Sequence, residues 1–510
     1  MPEVRTRFAP SPTGFLHIGG IRTALYEFLW ARKNNGKYLL RIEDTDRQRL
    51  VPGSLENIVQ SLETLRIVSD EGPYWDKGLK FRGEFGPYIQ SERLPIYQKY
   101  AQELIEKKAA YYCFCSSERL DKLREEQQAQ KLPPKYDKLC LKLSSEEVSS
   151  KLAAKEAHVI RLNVPSDRII KFHDHIHGDI EIPSKDVDDQ VLLKSDGFPT
   201  YHLAVVVDDY SMKISHVIRA DEWIASTPKH ILLYEAFGWP LPVFVHLPAI
   251  LSQATGKKLS KREGDVSVKD FLDKGYLPEA LINFLALLGW NPKTEQEIFN
   301  MRELVAEFSL DKLNKSGAVF DLDKLDWFNS MYIRALKIED LFARLVPYLV
   351  KAGIQTEKYP KEFLEKILLL EQSRLKKLSE IGERVKYFFE EPQYEPGLLC
   401  PPARKASAGP PPAEKKSEKE TILKNLNSLQ IFLQTLSAEK FAQKDIEAEI
   451  KNFIESNQLK TGEVLWPLRV ALCGLEASPG PFEIIDAFAS LPDGKEQVLK
   501  RISRASEMLF

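Results

Sequence analysis

The sequence is short of the features that mark several common protein classes. Neither sign of charge is in excess: 72 Lys and Arg stand against 74 Asp and Glu, a formal net charge of −2. A grip on nucleic acid through bulk positive charge is thereby excluded. A local basic groove is not, because net charge averages over faces. Cysteine is scarce, with five in 510 residues. That is too few for a disulfide scaffold and suits a reducing cytoplasm. The longest stretch without a charged residue, Ala236 to Gly256, contains Pro240, Pro242 and Pro248 together with Ser252 and Gln253. It reads as a strand and loops, not a membrane-spanning helix. The opening residues, Met-Pro-Glu-Val-Arg-Thr-Arg-Phe, are charged where an export signal needs an apolar core. G-x-G-x-x-G and G-x-x-x-x-G-K-[ST] are both missing, so dinucleotide and P-loop binding lose their usual support. Length and composition predict a cytoplasmic enzyme of about three domains without a membrane span; a monomer is the expected state, which neither length nor composition decides.

What is present is an alternation of strand and helix periods. Val4–Ala9 reads as a strand, followed by the turn-rich Pro10-Ser11-Pro12-Thr13-Gly14. Ile21, Ala24, Leu25, Phe28 and Leu29 recur at helical spacing from Gly19 onward, and Asn34-Asn35-Gly36 supplies a C-cap. Tyr38–Ile42 is the next strand, which completes a βαβ unit and implies a parallel sheet. The pattern loosens from Tyr111 to Arg161, with a charged helix Arg119–Gln130 and then Pro133-Pro134, as an insertion would. The sheet is expected to resume at Val191–Leu193 and Ala204–Val207. Beyond Phe271 the periods are helical, with one stripe of Leu281, Phe284, Leu285 and Leu288 and another of Leu364, Ile367 and Leu368. Seven prolines between Pro392 and Pro412, with a Lys/Glu/Ser run, predict a solvated loop near 390–420.

Between the first strand and first helix stands His17-Ile18-Gly19-Gly20. It lies at the carboxyl edge of a parallel sheet, where open α/β folds bind ligands. Glycines there permit close backbone approach, and a helix N-terminus favours phosphate. Far along the chain, Lys258-Leu259-Ser260-Lys261-Arg262 forms a dense basic loop. Together these two strings resemble the paired signature of class I aminoacyl-tRNA synthetases. Five further strings extend the resemblance to bacterial glutamyl-tRNA synthetases over nearly the whole chain. They are Arg7–Gly14, Arg41–Asp46, Asp196–Ala204, Val217–Trp223 and Val319–Leu322.

The resemblance implies an α/β Rossmann-like catalytic domain with an insertion, followed by all-α stem-contact and anticodon-binding domains. The expected boundaries are 1–110 with 190–240 for the catalytic domain and 111–189 for the acceptor-end insertion. Residues 241–322 would form the stem-contact part with its basic loop, and 323–510 the anticodon part. The implied reaction joins L-glutamate to tRNA-Glu through a glutamyl-adenylate, using ATP with its Mg²⁺; the class assigns the ester to the terminal ribose 2′-OH. Adenylate formation asks the protein mainly for positioning and charge neutralisation. His17, Lys258 and Lys261 are the implied catalytic residues. Gly20, Glu222 and Leu251 join them at the ATP. Arg7, Arg219 and Tyr201 would take the side-chain carboxylate of glutamate, since guanidinium binds carboxylate in bidentate fashion. Glu43, Ser11 and the Ala9 carbonyl would take its ammonium. Val205 departs from the pattern, which places an asparagine there.

Arg374 and Arg469 match family arginines at the anticodon. Cys113, Cys115 and Cys140 match three zinc ligands of one branch, but Lys142 stands where that branch has histidine, so zinc is not expected. The run His173-Asp174-His175-Ile176-His177 alternates as an exposed strand would, with its histidines on one face. Three rivals remain: a glutaminyl enzyme or a glutamyl enzyme that charges both tRNA-Glu and tRNA-Gln, a nucleotidyltransferase or synthetase paralogue that charges no tRNA, and a catalytically dead binding module. Arg219 argues for a carboxylate over an amide but leaves charging of tRNA-Gln with glutamate open; the long helical part after Leu322 argues against the second, and His17, Lys258 and Lys261 against the third.

Overall fold

A computed structural model describes residues 3–259, 267–401 and 412–509. The chain divides into two compact units, one of residues 1–272 with 278–325 and the other of 273–277 with 326–510.

The first unit is built on a parallel sheet. Strand β1 (Arg5–Phe8) pairs with β2 (Lys37–Leu40) in parallel, joined by helix α1 (Ile18–Lys33). Alongside β1 runs His216–Ala220, reached through the Ser215 N–H to the Arg5 carbonyl at 2.9 Å. Next comes Val243–Leu247, parallel to it, then Ile169–Asp174, with Gly178–Pro183 antiparallel at the edge. Helix α1 buries Ile21, Ala24, Leu25 and Leu29 completely and Phe28 nearly so, the stripe its spacing predicts. Truncating one such leucine to alanine would cost about 2–5 kcal/mol. The helix Pro278–Leu287 likewise buries Leu281, Phe284 and Leu285.

Four local expectations need correction. Ala204–Val207 lies inside the helix Tyr201–Ser211, in which every residue from Leu203 to Asp209 is buried. A helix buried all round shows the same short apolar run as a core strand. Val191–Leu193 is a strand, but it joins an antiparallel sheet with Val159–Leu162 and Ala110–Cys113, not the parallel one. The histidine run leaves its strand at Asp174 and turns. His173 then faces Asp179 at 2.7 Å, His175 faces Asp311 at 3.1 Å, and His177 bonds the His246 carbonyl at 3.1 Å. Finally, one strand interrupts the helical region: Ala318–Phe320 pairs with Ile250–Ser252 in parallel.

Among its described residues the second unit is helical. Leu364, Ile367 and Leu368 are buried on the helix Lys361–Gln372 as expected. The Pro-rich segment is less loop than its composition predicts. Leu399 is buried in a short turn, Trp466 donates to the Leu398 carbonyl at 2.9 Å, and a helix spans Pro412–Thr435. Residues 402–411 lie outside the description. Among the described residues no helix is long and apolar enough to cross a membrane.

His216 offers a measurable consequence of burial. Its ring packs edge-on to Trp30, and burial, with His175 nearby, pushes its pKa down to about 4 from the ordinary 6.5. The folded value lies below the unfolded one. The stability it contributes is therefore complete above about pH 6.5 and is lost as the pH falls toward 4. His216→Asn is expected to remove close to one proton from the uptake on unfolding in that range. Urea titrations of both proteins across pH 4–7 measure the difference, in which other titrating groups cancel; parallel curves would contradict it.

Candidate active site

The carboxyl ends of β1, β2 and the strand His216–Ala220 open onto one cavity of about 1080 Å³. Its wall includes Arg7, Ala9, Ser11, His17, Gly20, Glu43, Tyr201, Arg219 and Glu222. Residues scattered over more than two hundred positions thus converge as the sequence reading expects.

His17 is the N-cap of α1. Its Nδ1 accepts the backbone N–H groups of Gly19 and Gly20 at 3.1 and 3.3 Å. The neutral ring accordingly carries its proton on Nε2. A Cβ at Gly19 would come within 3.1 Å of that ring, and one at Gly20 within 3.1 Å of Leu16. Both positions are tight for that reason, not for any unusual φ.

The two arginines differ sharply. Arg7 is already ion-paired, with Asp209 at 3.0 Å and Glu27 at 3.4 Å. Its outer nitrogens make only long contacts, 3.3 Å to Asp209 and 3.5 Å to the Ile218 carbonyl. Arg219 is only 6% exposed, yet among the described residues it makes no ion pair. Its partners are neutral: His246 Nε2 at 3.0 Å, Tyr201 Oη at 3.0 Å, Thr227 Oγ1 at 2.9 Å and His230 Nδ1 at 3.3 Å. A buried cation without a counter-ion is costly unless an anion arrives.

Below the cavity lies a charge network that sequence reasoning missed. Arg41 bonds Asp209 at 2.8 Å and Glu43 at 3.1 Å, and approaches Asp208 at 3.6 Å. Asp208 also receives Arg93, Gln90 and Tyr97, each at 2.8 Å. Burial would raise Asp209, but Arg7 and Arg41 outweigh it and hold the carboxyl below its usual range. Burial wins at Glu43, which is raised although Arg41 and Arg7 pull it down. Glu27 is raised well above its ordinary value by burial, against the pull of Arg7. The available signal was charge inside an apolar run: Asp208-Asp209 directly follows Val205-Val206-Val207.

Not every expected residue reaches the wall. Lys258 ion-pairs with Glu222 at its rim. Leu251, in the strand Ile250–Ser252, makes a single antiparallel bridge to Lys258 and does not line the cavity. Lys261 lies outside the described residues. Val205, where the resemblance expects asparagine, is buried in its helix. In the second unit Arg374 occupies the turn after the helix Lys361–Gln372, 3.7 Å from the buried Glu371. Arg469 bonds Ser478 at 3.0 Å and the Glu476 carbonyl at 2.9 Å while stacking over Trp466.

The sulfurs of Cys113, Cys115 and Cys140 lie within 4.8 Å of one another. Lys142 is exposed, and the group beside them is instead the Tyr136 hydroxyl, 3.4 and 3.3 Å from Cys113 and Cys115. Burial and its bonds to the thiols raise the Tyr136 pKa, and burial pushes Cys115 up to about 11. Three thiols with a phenol oxygen as their neighbour are not the four N/S donors usual at a structural zinc site. Purified protein is expected to contain well under one zinc per chain. Stoichiometric zinc by metal analysis, lost on Cys140→Ser, would contradict this.

Comparison with known proteins places the chain in a class. The family model described as "tRNA synthetases class I (E and Q), catalytic domain" matches residues 3–327, and one described as "Anticodon binding domain" matches 340–506. The glutamate–tRNA ligase of Finegoldia magna is 46% identical over 99% of both chains. That of Clostridioides difficile is 51% identical over 76% of this chain and 79% of its own. A crystal structure of a glutamate tRNA ligase from Elizabethkingia meningosepticum, in complex with its amino acid, superposes with a TM-score of 0.86. It is 36% identical, and the match covers 100% of both chains. The chain belongs to the glutamate–tRNA ligase family, with a class I catalytic domain and a helical anticodon-binding domain.

Proposed function

We infer that the cavity activates L-glutamate with ATP and passes it, as an enzyme-bound adenylate, to tRNA-Glu. The observation that carries the amino acid's identity is Arg219, a buried guanidinium with only neutral partners on the cavity wall. A side-chain carboxylate supplies the missing anion, which a neutral amide cannot. Tyr201 adds a hydroxyl, and Arg7 stands behind with its long, shareable contacts. Glu43, engaged by Arg41 through only one oxygen, takes the ammonium with Ser11 and the Ala9 carbonyl.

ATP would lie with its phosphates toward the start of α1. His17 Nε2–H and Gly20 meet them there, while Lys258 and Lys261 approach from the basic loop. Glu222 would flank the adenosine, with Leu251 contributing only through its bridge to Lys258. The substrate carboxylate attacks the α-phosphorus, pyrophosphate leaves, and a terminal ribose hydroxyl of the tRNA then displaces AMP. Mg²⁺ would accompany the ATP, held largely by phosphate oxygens and water. The supporting test is release of AMP that depends on glutamate and tRNA together. Equal release with glutamine would sink the assignment of Arg219.

In the second unit, Arg374 is the residue to read the third anticodon position. A guanidinium donates to the O2 and N3 acceptors of an unpaired cytosine, whereas guanine presents donors on that edge. Arg374→Gln is expected to narrow the gap in kcat/KM between tRNA-Glu and a tRNA-Gln ending its anticodon in G by about 1–3 kcal/mol. An unchanged ratio would reduce Arg374 to a partner of Glu371.

A further inference from the structure

Behind Arg219 runs a line of buried polar groups that no step above uses. The Nε of Arg219 donates to His246 Nε2 at 3.0 Å. Guanidinium nitrogens only donate, and a neutral imidazole offers one donor and one acceptor. The His246 proton must therefore sit on Nδ1. That nitrogen lies 2.7 Å from Asp174 Oδ2. Asp174 is itself fully engaged, its Oδ1 receiving the backbone N–H groups of Ile176 and His177 at 3.0 and 2.9 Å. Its Oδ2 also receives the His246 backbone N–H at 3.1 Å.

Burial alone would raise the Asp174 carboxyl, but the His246 and backbone hydrogen bonds outweigh it and hold it below the usual range. The same burial keeps the His246 ring neutral. Asp174 and His246 are both 0% exposed and end or occupy adjacent strands of the parallel sheet. They stand at rigid positions. The other tautomer would set an imidazole N–H against the Arg219 N–H at the same separation.

We propose that Asp174 and His246 are positioning residues for the amino acid. Asp174 fixes the His246 tautomer, and His246 Nε2 fixes the guanidinium plane of Arg219 in which the substrate's side-chain carboxylate is read. This rests on the reading of Arg219 as the carboxylate's partner. Thr227 anchors the guanidinium at Nη2, and Tyr201 and His230 hold Nη1, so loss of the His246 acceptor tilts the fork without removing its charge. The cost falls on glutamate binding, not on ATP.

The test is aminoacylation with glutamate varied at saturating ATP and tRNA-Glu. His246→Leu removes the acceptor and is expected to raise the glutamate KM about 10- to 100-fold, with the ATP KM unchanged and kcat within about threefold. His246→Gln, whose amide offers an acceptor to Arg219 and a donor to Asp174, should stay within about threefold of the natural protein. Asp174→Asn is expected to follow His246→Leu. An unchanged glutamate KM in His246→Leu, or a Gln variant as impaired as the Leu variant, would overturn the proposal. Arg219→Lys separates the two levels, because an unchanged KM there would overturn the reading of Arg219 itself. A measurement on the natural protein needs no leucine variant to fold. With ¹⁵N-labelled histidine, and His246→Gln for assignment, His246 should show the Nδ1–H tautomer. An Nε2–H signature would exclude the arrangement.

Discussion

Arg219→Ala is expected to lower kcat/KM for glutamate by two to three orders of magnitude, about 3–4 kcal/mol, mostly through KM. Truncating one member of a buried, hydrogen-bonded charge pair costs about 2–5 kcal/mol, chiefly because the other charge is left without its partner. Here the stranded charge is the substrate's carboxylate. The variant is a clean probe because the arginine's partners within the protein are neutral. Its removal strands no buried ion, and thermal stability should change little. Arg41→Ala would not be clean, since Asp209, Asp208 and Glu43 all face that guanidinium. Initial-rate aminoacylation with labelled glutamate measures the effect. A loss below about threefold would place the carboxylate elsewhere in the cavity.

Lys261→Ala is expected to slow adenylate formation by roughly two to three orders of magnitude, with modest change in glutamate affinity. Charge moves onto the departing pyrophosphate as the α-phosphorus is attacked. A cation that meets the phosphates only at that moment acts on kcat rather than on ground-state binding. Lys258 pairs with Glu222 at the exposed cavity rim. Single-turnover measurement of adenylate separates the chemical step from binding. A variant with full activity would remove the basic loop from the mechanism.

The parts of the site that could be read from the sequence are those held close in the chain. His17, Gly19 and Gly20 cap α1 as neighbours, and β1, α1 and β2 follow from local periods and caps. Arg7, Glu43, Tyr201 and Arg219 came from whole strings shared with a family, not from spacing. The state of each arginine could not be read at all. That Arg7 is neutralised while Arg219 is not depends on Asp209, Glu27, His246, Thr227 and His230. Those residues reach the sheet from separate strands and helices. The run Ala204–Val207 reads as a strand yet lies in the helix Tyr201–Ser211 for a related reason. Burial on every side erases the polar stripe by which a helix announces its period. In the histidine run, Asp174 bonds to the backbone N–H groups just after it and turns the chain, a local competition that alternation does not encode.

The cavity is expected to esterify glutamate, and not glutamine, to tRNA-Glu. Incubation of the full chain with ATP, labelled glutamate or labelled glutamine, and separated tRNA-Glu and tRNA-Gln pools tests it directly. Label from glutamate is predicted on tRNA-Glu, none from glutamine on either pool, and poor charging of the tRNA-Gln whose anticodon ends in G. Transfer of glutamine, or no label on tRNA-Glu, would contradict the account.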